Sequence, residues 1–235
     1  MPESIVAIVP AVLVKSLKEI TELLTPLQGV VNAVQVDIVD GEFARAQTWP
    51  YKDHKTFEKI LSGESTLPFW ENFEYEFDLM VAQPVNAVPD FIRTGIQRIV
   101  LHAKSEDVLS AFQHLVDMRD DRGVFRVEVG VAIMPTDQPS ILEQFDAQFD
   151  FVQVMGIDTV GKQGQKFNHH ALYLVERLHR LYPQLQLQVD GGVSIENAQA
   201  LVHAGASRLI VGSAIFGVKD PVAAYRELVS AVNTA

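Results

Sequence analysis

The sequence predicts a single-domain α/β protein over residues 1–235, folded as a (β/α)8 TIM barrel. Three observations lead there. Apolar runs of strand length alternate with helix-spaced apolar stripes along the whole chain, which implies a parallel sheet with right-handed crossovers. Eight such units in 235 residues fit a closed barrel better than an open doubly wound sheet. No GxGxxG follows the first apolar run, which argues against a dinucleotide fold and leads us to expect no nucleotide cofactor.

Each element has its own signal. Ile5–Val9 is a short apolar run closed by Pro10, the first strand. Leu17, Ile20, Leu23 and Leu24 have helix spacing, ended by Pro26 and Gly29. Val30–Val39 is the second strand, followed by a long loop, Glu42–His54, and a helix over Thr56–Leu61. Glu74–Val81 is the third strand, Ala87–Thr94 a helix stopped by Gly95, and Arg98–His102 the fourth strand. Glu106–Arg119 puts Val108, Leu109, Phe112 and Leu115 on one helical face. Val127–Met134 is the fifth strand, Ser140–Phe145 a short helix, and Phe149–Met155 the sixth strand. A loop with glycines, Gly156–Gln165, leads to a helix over His170–Leu181. Leu185, Leu187 and Val189 alternate with glutamines up to Asp190, where Gly191 and Gly192 break the seventh strand. Ser194 is placed to cap a helix carrying Ile195, Ala198, Leu201 and Val202, ended by Gly205. Arg208–Val211 is the eighth strand, Gly212–Ser213 a turn, and Pro221–Val232 the last helix.

Composition narrows the functions. There are 19 basic and 30 acidic residues, a formal charge of -11, and no Lys/Arg cluster, which argues against a nucleic-acid surface. No cysteine is present, which rules out disulfides and thiolate metal sites. Met1–Val12 is too short for a leader and lacks its flanks, and no apolar run approaches the length of a membrane span. The expectation is a soluble, cytoplasmic protein that does not engage membranes.

In a barrel the carboxyl ends of all strands converge on one rim. There the seventh and eighth strands bring Asp190 beside the amides of Gly191, Gly192, Gly212 and Ser213. Bare amides next to a helix start favour a phosphate; the plainer alternative is that the glycines make tight turns and Asp190 caps one. Gln35 and Asp37 share a face of the second strand, and Asp40 lies past its end, where Asp40-Gly41 fits a turn as well as a catalyst. Asp78 sits inside an apolar run, where a carboxylate needs a partner or a cation. His102 fits a satisfied core histidine; His169 and His170 begin a helix at the surface; Asp158 follows the sixth strand. Met80 and Met155 fit core positions or the floor of a small-ligand site. If Asp37 and Asp190 face each other across the mouth, one removes a proton from one side of a bound carbon and the other returns a proton to the opposite side. That inverts a stereocentre next to a carbonyl.

Four stretches carry a resemblance: VDIVDGEF (36–43), DLMVAQP (78–84), VGVAIMPTDQP (129–139) and VDGGVSIENAQALVHAGASRLIVGSAIFG (189–217). The chain resembles the ribulose-phosphate 3-epimerase family of ribulose-phosphate-binding barrels over nearly its whole length. The resemblance implies an isomerase acting on a phosphorylated ketose in pentose phosphate metabolism. It assigns acid–base roles to Asp37 and Asp190, and phosphate contacts to Gly191, Gly192, Gly212 and Ser213. It also allows a homo-oligomer, although no stripe of residues marks an interface.

The departures are specific. Where the family has His-x-Asp and His-Leu-Met, this chain has Gln35-Val36-Asp37 and Asp78-Leu79-Met80, so both histidine metal ligands are missing. Ala11, Val14 and Val39 replace two serines and a methionine, and the loop from Asp158 to Gln165 differs in sequence and length. Asp37, Asp78 and Asp190 then place three carboxylates around one point, with neutral Gln35 as fourth group. Such a set needs a cation, or one pKa rises sharply. The expected ligand set is Gln35, Asp37, Asp78 and Asp190, with magnesium or manganese favoured over zinc or iron. Two other readings stay open: a phosphosugar-binding barrel with lost or altered catalysis, and an aldolase or decarboxylase on the same scaffold. The second ranks lower, because the Asp-x-Lys-x-x-Asp pattern of the hexulose-phosphate synthase type lacks its lysine here.

Overall fold

A computed structural model of the chain describes residues 6–118 and 127–233. Ile5 and Arg119, placed by the sequence at the ends of a strand and a helix, lie outside the described residues. The strands are β1 (Ala7–Val12), β2 (Ala33–Val39), β3 (Glu74–Met80), β4 (Arg98–His102), β5 (Glu128–Ile133), β6 (Phe151–Met155), β7 (Gln186–Asp190) and β8 (Arg208–Val211). They pair in parallel and in sequence order, and β8 returns to β1 to close the barrel. The helices are α1 (Leu17–Leu24), α2 (His54–Leu61), α3 (Pro84–Arg93), α4 (Val108–Asp117), α5 (His170–Leu181), α6 (Ile195–His203), α7 (Ser213–Phe216) and α8 (Pro221–Asn233).

Several boundaries differ from the sequence expectation. β1 passes through Pro10, whose Cα pairs with that of Val211, and ends at Val12; the proline forfeits a ladder donor while its fixed φ stays close to strand values. β2 starts three residues late, because the amides of Val30 and Val31 both donate to the Leu27 carbonyl and close a turn through Gly29. α3 starts early, at Pro84, since a proline suits the first helical turn. The crossover after β5 is a 3-10 helix, Pro139–Phe145, confined between Pro139 and Asp146, a C-cap with left-handed backbone.

Side chains alternate across the barrel wall. Outward residues such as Val34, Val36, Ile38, Phe77, Leu79, Val129, Val131, Val152, Val154, Leu187 and Val189 form the main core beneath the helices. Fully burying a side chain of this kind is worth about 1.5–3 kcal/mol. The inward face is different. Val9, Ala11 and Ile210 form one small apolar cluster; Val100, Ala132, Phe151, Met155 and Ile157 form another. Between them the interior is polar, with Gln35, Glu76, Asp78, Gln153 and Gln188 all at 0% exposure. Low in the barrel, Arg98 Nε donates to Glu76 Oε2 at 2.5 Å, Arg208 Nη2 donates to the same oxygen at 3.4 Å, and the Arg98 guanidinium lies 3.8 Å above the Phe151 ring centre. Pairing of this kind is what makes buried charge tolerable. Gly130 leaves room for Phe151, since a methyl at 130 would lie 2.2 Å from that ring.

Candidate active site

The site is built at the carboxyl rim by β2, β3, β6 and β7. Asp37 and Asp78 are register partners on neighbouring strands, and Met155 pairs with Asp190. An oxygen from each of Asp37, Asp78 and Asp190 lies within 4.8 Å of the others, and all three residues are buried. Gln35 Nε2 donates to Asp37 Oδ1 at 2.9 Å and to Asp190 Oδ2 at 3.1 Å. One amide thus ties the two acids together across the mouth.

Asp78 lies deeper. His102 Nε2 is 3.0 Å from its Oδ1, and Gln153 Nε2 donates to its Oδ2 at 3.0 Å. Gln153 also reaches Asp190 Oδ2 at 3.4 Å, and its own carbonyl accepts from Gln188 Nε2 at 2.6 Å. Gln188 in turn donates to Glu76 Oε1 at 2.5 Å, which links the rim to the ionic cluster below. The Phe43 ring covers His102 at 5.2 Å between centroids.

Burial and like charge set the protonation. Burial, then the charge of Asp78, push Asp37 up to about 8, against a lowering by the Gln35 hydrogen bond. Asp190 is raised well above the ordinary carboxylate range by burial, then by Asp37 and Asp78, with Gln35 again opposing. Three carboxylates this close cannot all stay ionised without a cation.

A solvent-open cavity lies against Asp37 and Asp190. Met80 and Met155 line it, as do Ala11 and Ile210, the two glycines 191 and 192, Gly212 and Ser213, and residues 161–165 of the loop after β6. Gly191 and Gly192 have φ of 101° and 66°, left-handed backbone that suits glycine. Around these turns, Asn197 Nδ2 donates to the Gly192 carbonyl, and the amides of Ile215 and Phe216 donate to the Gly212 carbonyl. None of those bonds uses the amides of Gly192 or Ser213. Asp78 and Gln35 do not line the cavity; they stand behind Asp37 and Asp190.

Other candidates separate cleanly. Asp40 is a turn residue: its Oδ1 accepts from the amides of Glu42 and Phe43, and its Oδ2 accepts from Ala82 at 2.7 Å. Asp158 accepts from Asn168 at 2.5 Å on the exposed side of its loop. His169 and His170 are exposed at the start of α5, and Val14 is buried, its carbonyl accepting from Trp49. Sequence reasoning missed Gln153 and the loop residues Lys162 and Gln163. The signal for Gln153 was available, as a lone polar residue between Val152 and Val154 on a strand.

The donor set fits a divalent ion. Asp37, Asp78 and Asp190 offer three converging oxygens, and Gln35 Oε1 is a buried acceptor without a partner. A half-turn of the Gln35 amide adds a fourth oxygen to the three carboxylates.

Comparison with known proteins agrees with this architecture. Among curated relatives, the ribulose-phosphate 3-epimerase of Aquifex aeolicus is 26% identical over 218 residues, covering 91% of this chain and 90% of its own. The ribulose-phosphate 3-epimerase of Bacillus subtilis is 26% identical over 209 residues, covering 86% and 87%. Solved barrels share the fold: KGPDC from Streptococcus mutans superposes with a TM-score of 0.69 at 15% identity, covering 97% of both chains. A 3-hexulose-6-phosphate synthase does so with a TM-score of 0.66 at 19% identity, covering 96% of this chain and 99% of its own. A sequence model of the Ribulose-phosphate 3 epimerase family matches residues 5–216, and the chain belongs to that family.

Proposed function

We propose that the protein epimerises a phosphorylated ketose at the carbon next to its carbonyl. The observation that carries this reading is the shared hydrogen bonding of Asp37 and Asp190 to Gln35 Nε2, at 2.9 and 3.1 Å, beside a cavity edged by glycine turns. One aspartate, as carboxylate, removes the proton on carbon 3, and its electrons delocalise into the carbonyl as an enediolate. The other, as carboxylic acid, delivers its proton to the opposite face of carbon 3. The configuration inverts, and acid and base have exchanged protonation. Without a bound ion, burial and like charge raise the pKa of both groups and keep a proton in the pair near neutral pH, the starting state this exchange uses.

Gly191, Gly192, Gly212 and Ser213 hold the phosphate, and Met80 and Met155 form the apolar floor under the sugar. Asp37, Asp78, Asp190 and, once its amide has turned to present Oε1, Gln35 would hold a divalent ion, magnesium or manganese in preference to zinc or iron, because all four donors would then be hard oxygens. When bound, such an ion stabilises negative charge on the substrate's oxygens. The substrate is a small sugar phosphate in the cytoplasm, handled by a soluble enzyme.

The test is isotope exchange. Ribulose 5-phosphate, or a hexulose 6-phosphate, incubated with the enzyme in deuterated water gains deuterium at carbon 3. Absence of label with both sugars, under saturating magnesium or manganese, rejects the reading. Thermal stabilisation by the same sugars without label then identifies a binding barrel that has lost its chemistry.

A further inference from the structure

We propose that Lys162 is the cationic partner of the phosphate site and the residue that makes the enzyme select a phosphorylated ketose over the free sugar. This deepens the epimerase reading and rests on it.

The argument begins with charge. A phosphate dianion entering the cavity approaches a chain of formal charge -11, so it is not drawn in by bulk charge even where a proton or an ion offsets Asp37 and Asp190 in the cavity wall. The amides of the glycine turns offer only partial charges. The helix that follows Gly212 is four residues long, too short to supply a substantial dipole. Among the described residues lining the cavity, Lys162 is the one cation. It is exposed and takes part in none of the ion pairs among the described residues. Its ammonium is therefore available to a ligand.

The loop that carries Lys162 is fastened across the mouth. Gly161 packs so closely on β2 and its loop that a methyl there would stand 2.9 Å from the Ala44 Cβ and 3.3 Å from Val39. The next residue after Lys162, Gln163, donates from Nε2 to the Ala11 carbonyl at 3.4 Å. It also lies over the β8 turn, since a methyl at Gly212 would stand 2.7 Å from the same nitrogen. Gln165 Nε2 donates to the carbonyls of Lys162, at 2.7 Å, and Thr159, which stiffens the segment. Lys162 thus sits between an anchor on β2 and an anchor beside Gly212, and it lines the same cavity as the glycine turns. A flexible stem with three donors at its tip suits a phosphate approached as a point charge.

Calorimetric titration of the full-length protein with ribulose 5-phosphate, ribulose and inorganic phosphate tests this. Lys162→Gln should weaken ribulose 5-phosphate and inorganic phosphate by roughly ten-fold, the scale of one charge-assisted hydrogen bond. Binding of unphosphorylated ribulose should not change. Lys162→Arg should restore binding to within about three-fold, because the charge returns. Lys166→Gln, which removes an exposed lysine of the same loop outside the cavity lining, should bind as wild type does. Wild-type affinity in Lys162→Gln, or an equal loss for ribulose, overturns the assignment while leaving the epimerase reading intact. Failure of the wild-type protein to bind any of the three probes overturns both.

Discussion

At the scale of single residues, Asp190 joins the other parts of the site. It receives Gln35 and Gln153, faces Asp37, and hands the chain on to the Gly191–Gly192 turn. An amide in its place keeps the shape and would remove the proposed proton exchange. Asp190→Asn and Asp37→Asn should each lower deuterium incorporation by roughly 10²–10⁴-fold, the usual weight of a general acid or base, with phosphate binding retained. Stability should move the other way with pH. Asp37 is raised from 3.8 to about 8, so the folded state keeps a proton that the unfolded chain releases. This contribution is fully present below the unfolded value and is lost as pH rises toward 8. In chelator, Asp37→Asn should therefore melt near wild type at pH 4 and above it at pH 8, with the gap widening between. A gap that is constant or narrows would refute the protonated pair. Asp78 was legible because a carboxylate among apolar strand residues needs a partner or cation, and Asp37 and Asp190 because they stand on strands whose carboxyl ends meet at the rim. Gln153 gave a fainter form of the same signal, and a neutral amide attracts less notice than a charge. Lys162 gave none, because its placement depends on loop anchors at Ala11, Val39 and Ala44 that are distant in sequence.

At the scale of the element, the unit from β7 through α6 positions both an acid and the glycine turn. Ser194 sits at the N-cap of α6. Asn197, one turn in, accepts from the Ser194 amide at 2.9 Å and donates to the Gly192 carbonyl at 2.9 Å. The helix start and the glycine turn are thereby locked to each other. Asn197→Ala should cost about 1 kcal/mol of stability, as the loss of a helix cap does. It should also weaken inorganic phosphate, because the Gly192 turn loses its tether; denaturant melts and titration read the two effects separately. This element was readable in advance, since its strand alternation, paired glycines and helix spacing are all local. β1 and β2 were harder. Pro10 reads as a stop, yet β1 continues because its neighbours β2 and β8 flank it on both sides. Val30 and Val31 read as strand, but their amides are taken by the preceding turn.

At the scale of the whole molecule, closing the sheet brings together what eight separate strands could not signal one at a time. The interior becomes a column of charge and amides, from the Glu76–Arg98–Arg208 cluster, through Gln188 and Gln153, to the three aspartates at the rim. The lower cluster pairs opposite charges. The rim sets like charges together, with only Gln35, Gln153 and His102 as side-chain nitrogen partners among the described residues. That imbalance makes the barrel's stability responsive to cations, because an ion that binds only the folded state raises its melting temperature. At an ion concentration one hundred times its Kd the gain is about 2.7 kcal/mol, which for a chain of this size is a shift of roughly 5–10 °C. Magnesium or manganese at pH 8 should produce a shift of that order. Chelator should reverse it. The shift should shrink at pH 5, where protons compete for the same oxygens, and vanish in Asp78→Asn, which removes a charged donor while keeping the shape. Equal melting with and without either ion at pH 8 would mean that the rim is neutralised by protons alone.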